Sequence, residues 1–315
     1  MPPQRDFGFY RRRKHDKWEA VEAPALEWPV ADSHAHIHML PDPAWELSRC
    51  AANGVDYVCM FVDPADDGPR PFEQLEAWRR EAGEQLLATG CDVPPEPVCV
   101  RIAVGVHPHN ATLYTPEVET ELLARLDDPR VGALGEIGLD YYYDLSPRDA
   151  QRDVFRRQIR LAKNLELPVA LHLRGGKDPE RDDAHAEAFA ILQDEGFPQA
   201  GTLLHCCTLS PDQLRPWIEA DCYVAFGGAV TFNAADDARE GVRLVPSDRL
   251  LFETDSPYMT PEPMRGTTCT PAHVVFTAAS IAETRGVAPG PDRRAFLQQV
   301  HDNTERFYRY GTTGT

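Results

Sequence analysis

The chain has 315 residues, 42% hydrophobic and 26% charged, with a formal net charge of −18. That length allows one large barrel or two ordinary domains, and the acidic balance argues against the salt-dependent, basic-patch mode of polyanion binding. No apolar run approaches the ~18 residues of a membrane helix; the N-terminus "MPPQRDFGFYRRRKHDKWEA" lacks the apolar core of a signal peptide, so the expected location is cytoplasmic, with reduced cysteines.

Residues 1–29 read as an N-terminal extension, charged and ending in "APALEWPV", with "RRRKHDK" as a solvated tail. From residue 30 short apolar runs alternate with amphipathic segments. The first, "PVADSHAHI" (29–37), opens a stretch with Asp32, His34, His36 and His38 at every second position. In a strand these share one face. Further buried-strand runs follow at 55–63, 98–108, 131–140, 168–174, 201–207, 222–228 and 249–257. The clearest helix is "SPRDAQRDVFRRQIRLAKNLEL" (146–167), with Ser146 as N-cap and Pro147 at the first helical position. "PDQLRPWIEA" (211–220) and "RRAFLQQVHDNTERFY" (293–308) are others. The connection 64–97 is long, and its loop "ATGCDVPPEP" either rims the active-site face or is slack surface. Eight strand–helix alternations predict a single α/β domain, a (β/α)8 TIM-like barrel over 30–310, with a tail at 311–315. An open doubly wound sheet is the alternative. The eight cysteines form no CxxC pair, and several lie inside apolar runs as small core residues.

In such a barrel the C-terminal strand ends face the active site. Taken in order they supply His34 and His36, His107, Glu136, His172, His205 and Asp255. One buried histidine is usually a satisfied core residue. This many polar side chains in one register are hard to explain structurally, because unpaired buried polar groups cost ~1–3 kcal/mol each. A ligand set of four of these histidines, His34, His36, His172 and His205, and the two carboxylates suits two adjacent divalent cations, with Glu136, central in the order, as the bridge. The donor types allow Zn²⁺, Mn²⁺, Fe²⁺ or Mg²⁺.

The motifs "DSHAHI" (32–37), "GVHPH" (105–109), "GEIGLDYYYD" (135–144), "PVALHLR" (168–174), "LLHC" (203–206), "GGAVTF" (227–232), "LLFETDSPYM" (251–259), "RG" (265–266) and "DNTERFY" (302–308) run in one order over about residues 30–310. Together they resemble the TatD family of metal-dependent DNases, within the amidohydrolase-type barrels. The resemblance implies that His34 and His36 ligate one ion, that Glu136 bridges, and that His172 and His205 ligate the second. It implies that Asp255 binds metal and activates or orients the attacking water, that His107 faces the substrate phosphate, and that Arg174 stands where the family often has a basic residue. His109 is a further substrate-contact candidate. Asp32 is read as a supporting residue and His38 as a surface or second-layer one. Tyr141 to Tyr143 are read either as a rim for base stacking or as packing.

The match departs from the family's pattern at "CCTLS" (206–210) and at "TTCTPAHV" (267–274), so Cys206, Cys207, Cys269 and Thr270 predict an altered substrate rim. The expected activity is metal-dependent phosphodiester hydrolysis, with DNA, single-stranded or at an end, as the partner. A small phosphoester, ester or amide is the alternative substrate, motivated by the altered rim. No protein partner is inferred.

Overall fold

The computed structural model describes residues 6–90, 98–178 and 183–308. Most of the loop "ATGCDVPPEP", Cys91 and the tail 311–315 lie outside the described residues. Eight strands form the barrel: β3 (Val30–Ala35), β4 (Val55–Val62), β5 (Cys99–Val104), β6 (Val131–Asp140), β7 (Val169–Arg174), β8 (Thr202–Leu204), β9 (Tyr223–Phe226) and β10 (Leu250–Phe252). All pair in parallel with their sequence neighbours. The circle closes just past β3 and β10, where the Asp255 amide donates to the His34 carbonyl (2.9 Å) and the His36 amide to the Ser256 carbonyl (2.8 Å). The (β/α)8 reading therefore holds.

The helices are α1 (Pro43–Ala52), α2 (Arg70–Ala88), α3 (Pro116–Leu126), α4 (Arg148–Asn164), α5 (Ala184–Glu195), α6 (Pro211–Glu219), α7 (Asp236–Leu244), α8 (Val274–Thr284) and α9 (Pro291–Tyr308). Two apolar layers result. One lies between strands and helices. The other fills the barrel itself: small residues (Ala31, Ala103, Ala133, Ala170, Ala225) leave room for Tyr57, Phe61, Phe307 and Tyr308. Among the described residues no helix is long and apolar enough to cross a membrane.

Two local expectations change. Residues 9–21 are a hairpin, β1 (Phe9–Arg12) against β2 (Trp18–Val21), rather than a solvated tail. Arg11 and Arg13 both bond the Glu19 carboxylate at 2.6–3.0 Å. Phe9, 2% exposed, packs edge-on against Phe276, and Phe7 stacks on Trp45. The arginines thus have local partners, and the apolar residues between them anchor the segment to the barrel. Ser146 does not cap α4: its hydroxyl donates to the His109 carbonyl at 2.7 Å, and Pro147 is the N-cap, its carbonyl accepting from Gln151. The serine ties two loops together instead.

Candidate metal centre

His34, Glu136 and His172 lie within their strands, whereas His36, His107, His205 and Asp255 follow the ends of theirs. β3 ends at Ala35, and His36 turns the chain into a 3₁₀ turn, Ile37–Met39. His34 and His36 therefore stay together while His38 is carried off to Asp67, 2.9 Å away. His38 is no surface residue, since its side chain is 7% exposed. Asp32, fully buried, accepts from the His34 amide (3.2 Å), the Thr254 amide (2.9 Å) and the Thr254 hydroxyl (2.6 Å). It couples the first strand to the last and leaves the ring of donors above it.

That ring is compact. The Nε2 atoms of His34 and His36 are 3.4 Å apart. Glu136 Oε2 lies 3.5 and 3.6 Å from them, and Asp255 Oδ1 3.8 and 3.7 Å. Tetrahedral N/O ligands 2.0–2.2 Å from one ion stand ~3.3–3.6 Å apart, so these donors are spaced to hold a cation. The second oxygen of Glu136 faces the other way: Oε1 is 3.0 Å from His172 Nδ1 and 2.9 Å from His205 Nε2. The structure thus brings together all six residues of the expected ligand set, with the Glu136 carboxylate between two pairs of imidazoles. Gly138 helps to set this spacing. It sits at φ 150°, and a Cβ there would lie 2.0 Å from the His172 carbonyl oxygen. Its bareness lets β6 press against β7, next to Glu136.

The charges fit a cation as well. Burial alone would raise the Glu136 carboxyl, but His34, His205 and His172 hold it well below the usual range. Burial would likewise depress His205, yet Glu253 and Glu136 hold its imidazolium well above the ordinary value. His34 is depressed by burial and by His205, so it stays neutral, stacked between Phe61 (ring centroids 3.7 Å) and His205 (4.0 Å). Protons such as the one on His205 are what divalent cations would displace from this buried donor set.

Behind these donors stand residues the sequence reading missed. Asp140 Oδ2 is 3.2 Å from His172 Nε2 and 2.8 Å from His109 Nε2, while its other oxygen accepts from the Tyr142 and Tyr143 amides at 2.9 Å. It ends the strand that carries Glu136, four residues on and on the same face, and that alternation was a usable signal. Glu253 accepts from the Cys206 amide (2.5 Å) and lies 3.6 Å from His205 Nδ1. Asp63 accepts from the His107 amide (3.0 Å) and the Asn110 side chain (2.9 Å); burial nevertheless pushes its carboxyl up to about 6.

The substrate-side expectations divide. His107 packs beside His172 (4.2 Å between centroids). Burial and then His172 depress it well below the ordinary value, so its ring is neutral. Its Nδ1 accepts the His109 amide (3.1 Å), which leaves Nε2 as the N–H donor. His109 is bound to Asp140. Arg174 is exposed, with its guanidinium over the Tyr142 and Tyr143 rings at 4.3 and 4.7 Å. Tyr141 is packing, 4% exposed, its hydroxyl bonding Glu187.

At Cys207, Cys269 and Thr270 the altered rim is a misreading, because these residues are buried. Cys269 and Thr270 are 0% and 5% exposed, and the Thr270 hydroxyl meets Arg49 and His273 rather than the mouth. Cys207 is buried too. Cys206 is partly exposed and close to the donors: its sulfur groups with donor atoms of His205 and Glu253 within 4.8 Å. The cysteines among the described residues are free thiols, so Cys206 and Cys207 form no vicinal disulfide.

Comparison with known proteins agrees with this architecture. The family model described as TatD related DNase matches residues 31–309. The chain is 39% identical over 271 residues to the metal-dependent hydrolase YcfH of Escherichia coli, covering 83% of this chain and 94% of that one. It is 32% identical over 201 residues to the 3'-5' ssDNA/RNA exonuclease TatD of Citrobacter koseri, covering 61% and 72%. Among solved structures, the TatD homologue YjjV of E. coli superposes with a TM-score of 0.71 at 25% identity, covering 89% of this chain and 97% of that one. The barrel, its donor set and these matches place the chain in the TatD-related DNase family of metal-dependent hydrolases.

Proposed function

We propose that this protein hydrolyses phosphodiester bonds in single-stranded nucleic acid, working from an end, with two divalent cations bridged by Glu136. The observation that carries the reading is the split of the Glu136 carboxylate, Oε2 toward His34 and His36 and Oε1 toward His172 and His205. His34, His36, Glu136 and Asp255 would hold one ion; His172, His205 and Glu136 the other. Zn²⁺, Mn²⁺ or Mg²⁺ suits these donors. Such ions supply Lewis-acid polarisation of a phosphoryl oxygen and ready ionisation of water.

The chain's own groups do the rest. Asp255, whose Oδ1 faces His34 and His36 and whose side chain is still partly open, orients the attacking water and takes its proton at the other carboxylate oxygen, Oδ2. His107, neutral and with Nε2–H free, donates to the phosphoryl oxygen on which charge develops. Asp140 fixes the His172 ring from behind, so that Nδ1 faces Glu136. An end of a single strand fits the mouth of a closed barrel better than a duplex does, and the C. koseri relative is named for single-stranded substrates.

The test is metal analysis joined to a substrate panel of single-stranded DNA and RNA, duplex DNA, nucleotides and simple phosphoesters. Two equivalents of metal per chain, strand cleavage abolished by EDTA, and a loss of ~10³-fold or more in Glu136→Ala are expected, since a bridging donor supports several kcal/mol of charge stabilisation. Cleavage that survives both EDTA and Glu136→Ala would sink the mechanism. Turnover of small phosphoesters without strand cleavage would replace the nucleic-acid substrate.

A further inference from the structure

Large aromatic side chains normally bury most of their surface, and exposed ones clustered together mark binding sites. Among the described residues the exposed aromatics are Tyr142, Tyr143 and Tyr258, at 44%, 53% and 51%. All three stand at the mouth above the donor ring. Tyr142 and Tyr143 follow β6, and Tyr258 follows β10. In the eight-stranded order these strands are four apart, so the tyrosines face one another across the opening. The Tyr143 ring lies 5.5 Å from His109 and the Tyr258 ring 6.4 Å from His36, both edge-on. Each platform therefore borders one side of the centre.

The two sides differ in charge. Tyr142 and Tyr143 meet edge-to-face at 5.1 Å, and Arg174 covers both rings. Lys177 stands 5.9 Å from Tyr142. That corner offers flat aromatic surface together with two cationic heads. On the other side Tyr258 stands beside His36 and feels the carboxylates of Asp255 and Glu136. Tyr141 supplies the contrast within the same run, since it is buried and hydrogen-bonded as a packing tyrosine should be.

Resting on the phosphodiesterase reading above, we infer that Tyr143, backed by Arg174, and Tyr258 hold unpaired nucleobases on opposite sides of the scissile phosphate. The recognition is stacking on π-faces, so it tolerates any base and requires a strand whose bases are free. Arg174 and Lys177 take the adjoining phosphates. Such a grip compensates for a net charge of −18, which gives no long-range attraction for a polyanion. It also makes an unpaired end, rather than a duplex, the form that fits.

The experiment compares a short single-stranded oligonucleotide with the same strand carrying abasic residues at its terminus, using the metal-loaded full chain. For the wild type KM should rise about tenfold or more when the bases are absent, the usual worth of one stacked base. In Tyr143→Ala and Tyr258→Ala that discrimination should shrink toward unity, with the loss falling on KM for the base-bearing strand. Tyr143→Phe and Tyr258→Phe, which keep the ring, should restore it. A strand carrying terminal 2-aminopurine should be quenched on binding, and less so in the alanine variants. Equal KM for base-bearing and abasic strands in the wild type, or alanine variants that weaken both strands alike, would overturn the base grip while leaving the phosphodiesterase reading intact. Quenching that depends on both tyrosines without cleavage of any strand would overturn the phosphodiesterase reading and keep the grip.

Discussion

At the scale of single residues, Asp140 matters more than its distance from the donor ring suggests. It is fully buried, and burial would raise its carboxyl, but His109 and His172 hold it below the usual carboxylate range. Its one oxygen reaches both imidazoles, so it decides which nitrogen of His172 is left to face Glu136. Asp140→Asn keeps the shape but puts an amide where an acceptor is needed. If two cations bind as proposed, the expected result is a 10–100-fold loss of affinity for the one held by His172, read by competition with a coloured chelator. An Asn variant that binds both cations like the parent would show that the carboxylate is not needed. The donor ring itself was legible because each member is a polar exception in an apolar run. Asp140 was not counted because "GLDYYYD" reads equally well as the polar start of a loop. His38 reads from sequence as a surface or second-layer residue, and it lies off the ring because the backbone leaves the strand at His36; its partner Asp67 puts it in the second layer.

At the scale of elements, α4 does more than cover the sheet. Two glutamines on its buried face, seven residues apart, each clamp the backbone of a loop that carries site residues. Gln158 accepts from the Val106 amide (2.8 Å) and donates to the Val106 carbonyl (3.0 Å), next to His107. Gln151 accepts from the Asp140 amide (2.8 Å) and donates to the carbonyls of Asp140 and Ser146. Replacing Gln158 with Leu strands two buried backbone groups at about 1–3 kcal/mol each. Chemical denaturation should show a loss of at least ~2 kcal/mol, and phosphodiester turnover should fall with it because His107 loses its anchor. A loss below about 0.5 kcal/mol would mean that these bonds are readily replaced by water. The helix itself was predicted from its apolar spacing. The glutamines were not, because periodicity counts a glutamine as polar and assigns it to solvent.

At the scale of the whole molecule, the barrel was legible because parallel strands buried on both faces read as continuous apolar runs. The N-terminal hairpin was not, because its stability comes from tertiary contacts of Phe7 and Phe9 and not from its own pattern. The charge of −18 makes a prediction of its own. A protein that bound its strand mainly through phosphates would lose ~10³-fold or more in affinity between about 50 and 200 mM salt. Here kcat/KM on single strands should change less than about fivefold over that range. A steep decline with salt would point to a basic track in place of local stacking.

The end of α9 bears on how such a chain matures. Tyr308 fills the floor of the barrel, its hydroxyl donating to the Ser33 carbonyl (2.7 Å), one residue before His34. Phe61, which carries the His34 ring on its face, lies 6.5 Å from it. The stopper beneath the first histidine is therefore made after all eight barrel strands. The floor under the donor ring is completed only when α9, which follows all eight strands in the sequence, docks into the barrel.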